Sequence, residues 1–156
     1  MAEVFGFDCY SPQEIAQRVE NVGVTKAKLP LLSQVALGVL AGGFIGLGGA
    51  FSTLVLSDGT LGLAASRVLA GVAFSLGLIL VVIAGAELFT GNNLLVMALV
   101  SGRIQARQFF QNLLVVFAAN AVGAIGLAFL VTLSGVSKLG GGAVGKTAVT
   151  IAITKC

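Results

Sequence analysis

Histidine is absent from this chain of 156 residues, cysteine occurs only twice, and charged residues make up just 10% of it. Cys9 and Cys156 lie near opposite ends, so they form neither a metal-ligand pattern nor a disulfide framework. The sequence has no nucleophile–base pair or phosphate-binding loop, which argues against an enzyme and predicts no metal or cofactor. So few charges also exclude an ordinary soluble domain, because 57% of the residues are hydrophobic. The composition predicts a protein embedded in a lipid bilayer.

The charged residues that are present favour a membrane surface over a nucleic acid as their partner. The net charge is +3 and the isoelectric point is about 9.2, but the Lys and Arg residues stand singly around apolar segments. Such positions are typical of interfacial anchors. The first apolar run starts only near residue 31 and is too long for the hydrophobic part of a cleavable signal peptide, so none is expected.

Three apolar stretches are long enough to cross a bilayer. Leu31–Leu56 contains no charged residue and is the first span, and a third span covers about 109–134. The run 68–100 between them would be about 50 Å long as one helix at ~1.5 Å per residue, whereas the hydrocarbon core is only about 30 Å thick. The sequence therefore predicts an all-α membrane protein with three transmembrane spans, the second of which is interrupted.

Polar residues gather where that second span must break. Glu87, Thr90, Gly91, Asn92 and Asn93 lie close together, and Thr-Gly-Asn is typical of a turn. We expect a helix over about 68–86, a non-helical loop, and a short second piece over about 93–100. Irregular backbone at membrane depth is tolerated only where it is buried in protein or lines a watery cavity, and broken helices often mark a permeation site. The function is therefore expected here.

Before the first span, residues 1–30 are predicted to form an interfacial segment. Its aromatic residues at 1–10 are expected against the membrane surface, and Ser11, Pro12 and Glu14 give the pattern of a capped helix start. An amphipathic helix should follow and end at Gly23, with Lys26 and Lys28 as interfacial anchors. The three-span unit is expected over 31–135, and 136–156 is expected to be a glycine-rich loop.

Small and amide residues inside the spans predict how the helices pack. Gly38, Gly42, Gly46 and Ala50 recur every four residues, which lets another helix approach closely. Packing within the chain is favoured over contact between copies, because neighbouring glycines widen the smooth surface. Asn112 and Asn120 in the third span are expected to make helix–helix hydrogen bonds, with pore lining as the alternative.

Glu87 leaves two rival functions open. An intramembrane carboxylate can bind ions, as in the glycine-rich proteolipids of rotary ATPases. Beside a turn, however, a carboxylate also accepts hydrogen bonds from backbone or side-chain donors, and we expect this structural role for Glu87. A rotor hairpin would need neither a broken helix nor a third span. The second rival is a membrane interaction subunit that transports nothing.

Several motifs together resemble the formate/nitrite transporter family. The segment 84–92 reads Ala-Gly-Ala-Glu-Leu-Phe-Thr-Gly-Asn, and Phe-Ser-Leu-Gly-Leu precedes it at 74–78. The glycine-rich first span, Ser-Gly-Arg-Ile at 101–104 and Asn-Ala-Val-Gly at 120–123 follow the family's order. The resemblance implies half of an aquaporin-like fold of six spans in two inverted repeats. It also implies homopentamers with one pore per protomer, carrying small anions such as formate or nitrite in a proton-linked manner.

The resemblance also assigns roles along the pore. Thr90 would be the polar residue at its centre, Leu88 and Phe89 would form the outer hydrophobic constriction, and Phe74 and Leu78 the cytoplasmic one. Glu87, Gly91 and Asn92 would be structural residues of the pore loop. Apolar slits of this kind exclude hydrated ions by dewetting.

Two further expectations concern extent and orientation. The family's second repeat, with a histidine facing the Thr, does not follow here, so the chain is expected to be an N-terminal half. The positive-inside rule leans towards a cytoplasmic N-terminus in a cell inner (plasma) membrane, with five Lys and Arg residues on that side and four on the other.

Overall fold

A computed structural model of the chain describes residues 10–155. The expectation for the aromatic residues at 1–9, and both cysteines, lie outside this range. The described elements, in chain order, are α1 (Pro12–Ala27), α2 (Leu31–Leu56), α3 (Leu63–Ala84), α4 (Phe89–Asn92), α5 (Leu95–Val100), α6 (Ala106–Leu133), a 3-10 turn (Val136–Lys138) and α7 (Leu139–Lys155).

The three predicted spans are confirmed. Helices α2, α3 and α6 are each long and apolar enough to cross a membrane. The first span has the predicted bounds, and the third begins and ends slightly earlier than expected. The interruption of the second span is confirmed too, but its position differs: the helix ends at Ala84, and helical backbone resumes at Phe89.

Helix α2 lies between α3 and α6, and glycines make both contacts close. A Cβ atom at Gly42 would collide with the backbone carbonyl oxygen of Asn120 on α6, and one at Gly123 with that of Val39. On the α3 side, a Cβ at Gly48 would lie 2.6 Å from the carbonyl oxygen of Phe74. The glycines therefore serve packing within the chain, as the sequence predicted, because helices in lipid associate best where small side chains let them approach.

Helix α1 begins as predicted but does not end as predicted. The Ser11 hydroxyl accepts from the Glu14 N–H, and the Glu14 carboxylate accepts from the Ser11 N–H at 2.7 Å, which closes the capping box. The Ser11 backbone N–H, and then the Ser11 hydroxyl, which donates to the Glu14 carboxylate at 2.9 Å, lower the pKa of Glu14. Gly23, expected to end the helix, is buried inside it: a Cβ there would lie only 3.2 Å from that of Ala98. Gly23 thus seats α1 closely on α5.

The segment after α6 is more helical than the sequence suggested. The expected glycine-rich loop at 136–156 consists of the 3-10 turn and α7, with left-handed backbone only at Gly140, Gly141 and Gly142. Glycine adopts this conformation without the steric cost that other residues incur. The three glycines thus turn the chain. In the part of α7 that follows them, Gly145 packs against the carbonyl oxygen of Ser137.

The contact between α2 and α6 predicts the effect of a single methyl group. Gly42→Ala should lower the stability of the 156-residue chain in detergent by about 1–3 kcal/mol, because overpacking forces two backbones apart. Unfolding followed by circular dichroism in a denaturing detergent measures it. Gly43→Ala is the matched control, since a Cβ at Gly43 meets nothing within 4 Å. Equal stability losses in the two variants would contradict the packing described here.

Candidate functional site: the interrupted second span

A Schellman motif ends α3. Gly85 has φ of 61°, its N–H donates to the Val82 carbonyl at 3.2 Å, and the Ala86 N–H donates to the Val81 carbonyl at 3.0 Å. Ala86 and Val81 are also buried together, which is the apolar contact typical of this motif. The expectation that Thr-Gly-Asn supplies the turn was therefore wrong. Gly91 lies within the helical turn α4, and Gly85 provides the left-handed residue that breaks the span.

Asn120 of α6 satisfies the backbone of the break. Its Nδ2 donates to the carbonyl oxygens of Gly38 at 2.8 Å and Glu87 at 2.9 Å, and its Oδ1 accepts from the Phe89 N–H at 2.9 Å. The Glu87 N–H donates to the Leu37 carbonyl at 3.2 Å. One amide side chain thus ties α2, the break and α4 together, where unpaired peptide groups would each cost several kcal/mol in lipid.

Lys26 and Asn92 hold the Glu87 carboxylate. The Lys26 Nζ lies 3.0 Å from Glu87 Oε1 and donates to Asn92 Oδ1 at 3.0 Å, while Asn92 Nδ2 donates to Glu87 Oε2 at 2.7 Å. Glu87 is only 2% exposed and Asn92 is fully buried. The ammonium group neutralises the carboxylate, so this part of the break carries no net charge. Removing one partner of such a pair is costly because it leaves the other charge buried and unpaired.

Asn112 of α6 extends this network. Its Oδ1 accepts from Asn92 Nδ2 at 2.8 Å, and its Nδ2 donates to the backbone carbonyl of Lys26 at 3.3 Å. Asn112 is buried, and the last turn of α1 is thereby attached to the third span. Both span asparagines therefore make hydrogen bonds between elements, which was the favoured expectation.

Sequence reasoning missed the role of Lys26, which was expected to be an interfacial anchor. One signal was available. Glu87 is the only acidic residue in the apolar run, and a buried carboxylate requires a cation. The short piece after the break leads back to the side of the membrane where α1 lies. Lys26 and Lys28 were the available cations there, but their spacing alone does not choose between them.

The predicted pore residues lie in different surroundings. Leu88 packs against the buried cluster formed by Ala41, Val81 and Ala86, whereas the Phe89 ring contacts Phe117 of α6 edge to face, with 5.4 Å between ring centroids. Thr90 lies in the first turn of α4 and is exposed, rather than on a non-helical loop.

On α3, Phe74 and Leu78 lie one helical turn apart, and both are exposed. About half of each side chain is therefore accessible, and neither is buried between the three spans. No group of three or more acidic, Cys or His residues that could hold a metal occurs in the described part of the chain. What the break offers chemically is a neutralised carboxylate, amide side chains and the exposed hydroxyl of Thr90.

Comparisons with known proteins agree on one family. The family model described as Formate/nitrite transporter matches residues 13–156. The chain is 40% identical to the Formate channel FocA of Escherichia coli K12 over 130 residues, which are 83% of this chain and 46% of that protein. It is 42% identical over 124 residues to the Uncharacterized transporter YrhG of Bacillus subtilis 168, covering 76% and 45% of the two chains.

The comparison with solved structures gives the same family as the comparison of sequences. A solved structure described as an FNT family ion channel superposes with a TM-score of 0.73 at 26% identity, covering 79% of this chain and 50% of that one. The chain spans about half the length of the curated relatives it matches. The matched region takes in all three spans and the interruption of the second. The chain belongs to the formate/nitrite transporter family.

Proposed function

We propose that this chain forms part of a channel for small monovalent anions of weak acids, of the formate or nitrite class, across the membrane. The interrupted second span carries the proposal. Thr90 is exposed and follows, three residues later in the chain, a buried carboxylate that Lys26 already neutralises. An unpaired carboxylate would repel an anion, whereas a neutral polar break does not. The name of the Escherichia coli relative, a formate channel, supports the substrate class.

Peptide N–H groups beside Thr90 supply the partial positive charge that an anion needs. The Phe89 N–H is taken by Asn120, but those of Thr90 and Gly91 donate to no backbone carbonyl among residues 10–155. A small anion that leaves water loses its hydration, and donors along its path offset part of that cost. We assign Thr90 to the centre of the path, with Glu87, Gly91 and Asn92 as structural residues that hold it.

Apolar side chains on either side of Thr90 would act as gates. We assign Leu88 and Phe89 to one constriction and Phe74 and Leu78 to the other, since narrow apolar passages exclude hydrated ions. Protonation of the anion to its neutral acid would let it pass, which makes transport proton-linked. The proposal includes a homopentamer in the cell inner membrane with a cytoplasmic N-terminus.

The geometry disfavours the rotor alternative. An ion-carrying Glu87 would have to open to its ion, but the carboxylate is almost wholly buried and both of its oxygens are engaged by Lys26 and Asn92. The other alternative, a membrane subunit that transports nothing, can be distinguished by experiment, because it would give no anion flux in any assembly.

Reconstitution tests the proposal. The 156-residue chain by itself should show no selective transport, because three spans leave one face of the interrupted helix without the partner that a second repeat would supply. Fusion of residues 1–156 to the remaining C-terminal half of Escherichia coli FocA should give rapid, saturable, pH-dependent formate uptake into liposomes that contain a pH indicator. A well-folded fusion without formate or nitrite flux would contradict the proposed function. Uptake by the 156-residue chain alone would contradict the need for a second repeat.

In that fusion, Phe89→Ala should widen the constriction assigned to Leu88 and Phe89. This constriction lies nearer the α1 side of the membrane than Phe74 and Leu78, not on the outer side as the resemblance implied. We expect faster uptake of larger weak acids such as lactate relative to formate, because a wider apolar slit dewets less readily. Phe129→Ala is the matched control, since Phe129 is an exposed ring elsewhere on α6. If the lactate-to-formate ratio is the same in both variants, Phe89 does not line the path.

Glu87→Gln should reduce assembly rather than change the chemistry of transport. It leaves Lys26 unpaired, but that side chain is 26% exposed and can be hydrated. Lys26→Met should cost more, about 3–5 kcal/mol, because it leaves the buried carboxylate without its counter-charge. The yield of monodisperse fusion protein and its melting temperature measure both effects.

The control for this pair is Glu20→Gln, which breaks the exposed pair with Arg103 and should cost at most about 1 kcal/mol. Replacing both Glu87 and Lys26 together should restore part of the loss, since no unpaired charge then remains. A Glu87→Gln protein that assembles normally and loses only the proton dependence of transport would show that Glu87 is a proton relay.

A further inference from the structure

A pocket lined by both polar and apolar side chains lies at the opposite end of the molecule from the Lys26–Glu87 pair. It has a volume of about 590 Å³ and opens between the start of α3 and the outer part of α7. Ser66 and Arg67 line it from α3, and Thr147, Thr150 and Thr154 line it from one face of α7. Because α2 ends and α3 begins here, the pocket lies at the level of the membrane surface.

Arg67 is the one charged residue of α3, and nothing in the pocket neutralises it. Its guanidinium makes no ion pair or hydrogen bond with residues 10–155, and no Asp or Glu lines the pocket. Arg67 is exposed, so its cation at the edge of the span can reach water or an anionic partner. The pocket is therefore positively charged and lacks a partner from the described chain.

Two hydroxyl groups beside Arg67 are available as donors. Threonine and serine in helices usually donate to a carbonyl of the preceding turn, and Thr150 does so to Lys146 at 2.9 Å and Thr154 to Thr150 at 2.8 Å. The hydroxyls of Ser66 and Thr147 make no such bond within the described residues. Together with the guanidinium they form a set of donors without an acceptor, which points to an anion with several oxygens.

We propose that this pocket binds the phosphodiester group of an anionic phospholipid, with Arg67 in a forked contact to two phosphate oxygens and Ser66 and Thr147 donating to the others. Arginine matches phosphate geometry in this way. Apolar residues also line the same pocket, namely Leu56, Leu61, Leu63 and Ile151. They give acyl chains an apolar surface, which favours a lipid over a free anion. The absence of a carboxylate from the lining favours an anionic head group over one that carries a cation.

Binding of short-chain lipids to the 156-residue chain in a non-ionic detergent tests this directly. Native mass spectrometry or a melting-temperature titration would compare dioctanoyl phosphatidylglycerol, dioctanoyl phosphatidylcholine and inorganic phosphate. We expect saturable binding of phosphatidylglycerol, and about tenfold weaker binding by Arg67→Gln, equivalent to about 1.4 kcal/mol. Thr147→Val, which keeps the shape of the side chain, should weaken binding several-fold.

Arg107→Gln is the matched control, because it removes the same charge from an exposed position at the start of α6, far from the pocket between α3 and α7. It should leave phosphatidylglycerol binding unchanged. Equal affinity for phosphatidylcholine, equal losses in Arg67→Gln and Arg107→Gln, or no effect of Thr147→Val in a folded protein would each overturn the proposal. Inorganic phosphate binding as tightly as the lipid would assign the pocket to a free oxyanion instead.

Discussion

Peptide groups that leave a helix inside a bilayer must find partners, and the structure around the break follows from that constraint. The Gly85 and Ala86 N–H groups donate back to α3, but the peptide groups of Glu87 and Phe89 need partners from other helices, because water cannot supply them at this depth. Asn120 from the third span and the Leu37 carbonyl from the first span take up these groups. The close approach of α2 to α6 at Gly42 and Gly123 brings those donors and acceptors within reach.

The same constraint applies to charge. Glu87 is buried, and its carboxylate is stable there because the Lys26 ammonium and the Asn92 amide contact both of its oxygens. Gly23 lets α1 pack closely on α5, which helps to bring Lys26 within reach of this carboxylate. The N-terminal helix α1 therefore does more than lie on the membrane surface. It supplies the counter-charge for a group in the membrane, and Asn112 fixes its last turn.

Neutral polarity at the break suits the proposed movement of an anion. A path that carried an unpaired carboxylate would repel formate, and one that carried an unpaired ammonium group would hold it. In the proposed path, the groups that would face a solute are the Thr90 hydroxyl and nearby peptide N–H groups, and conduction requires such contacts to be weak enough for the solute to leave. The apolar side chains of Leu88 and Phe89 lie beside them, and each packs against a different partner.

The sequence by itself determined the class of protein, the three spans and the fact that the second must break, because these depend on hydrophobic length alone. It also determined the α1 cap, which needs only residues three apart. The sequence prediction placed the turn at Gly91 instead of Gly85, because either glycine can adopt the left-handed conformation. Only the packing of Ala86 on Val81 selects Gly85. The pairing of Lys26 with Glu87, and the use of Asn120 to satisfy the break, depend on contacts between elements distant in sequence. Only the tertiary structure decides such contacts, because hydrophobic periodicity carries no information about which polar groups meet.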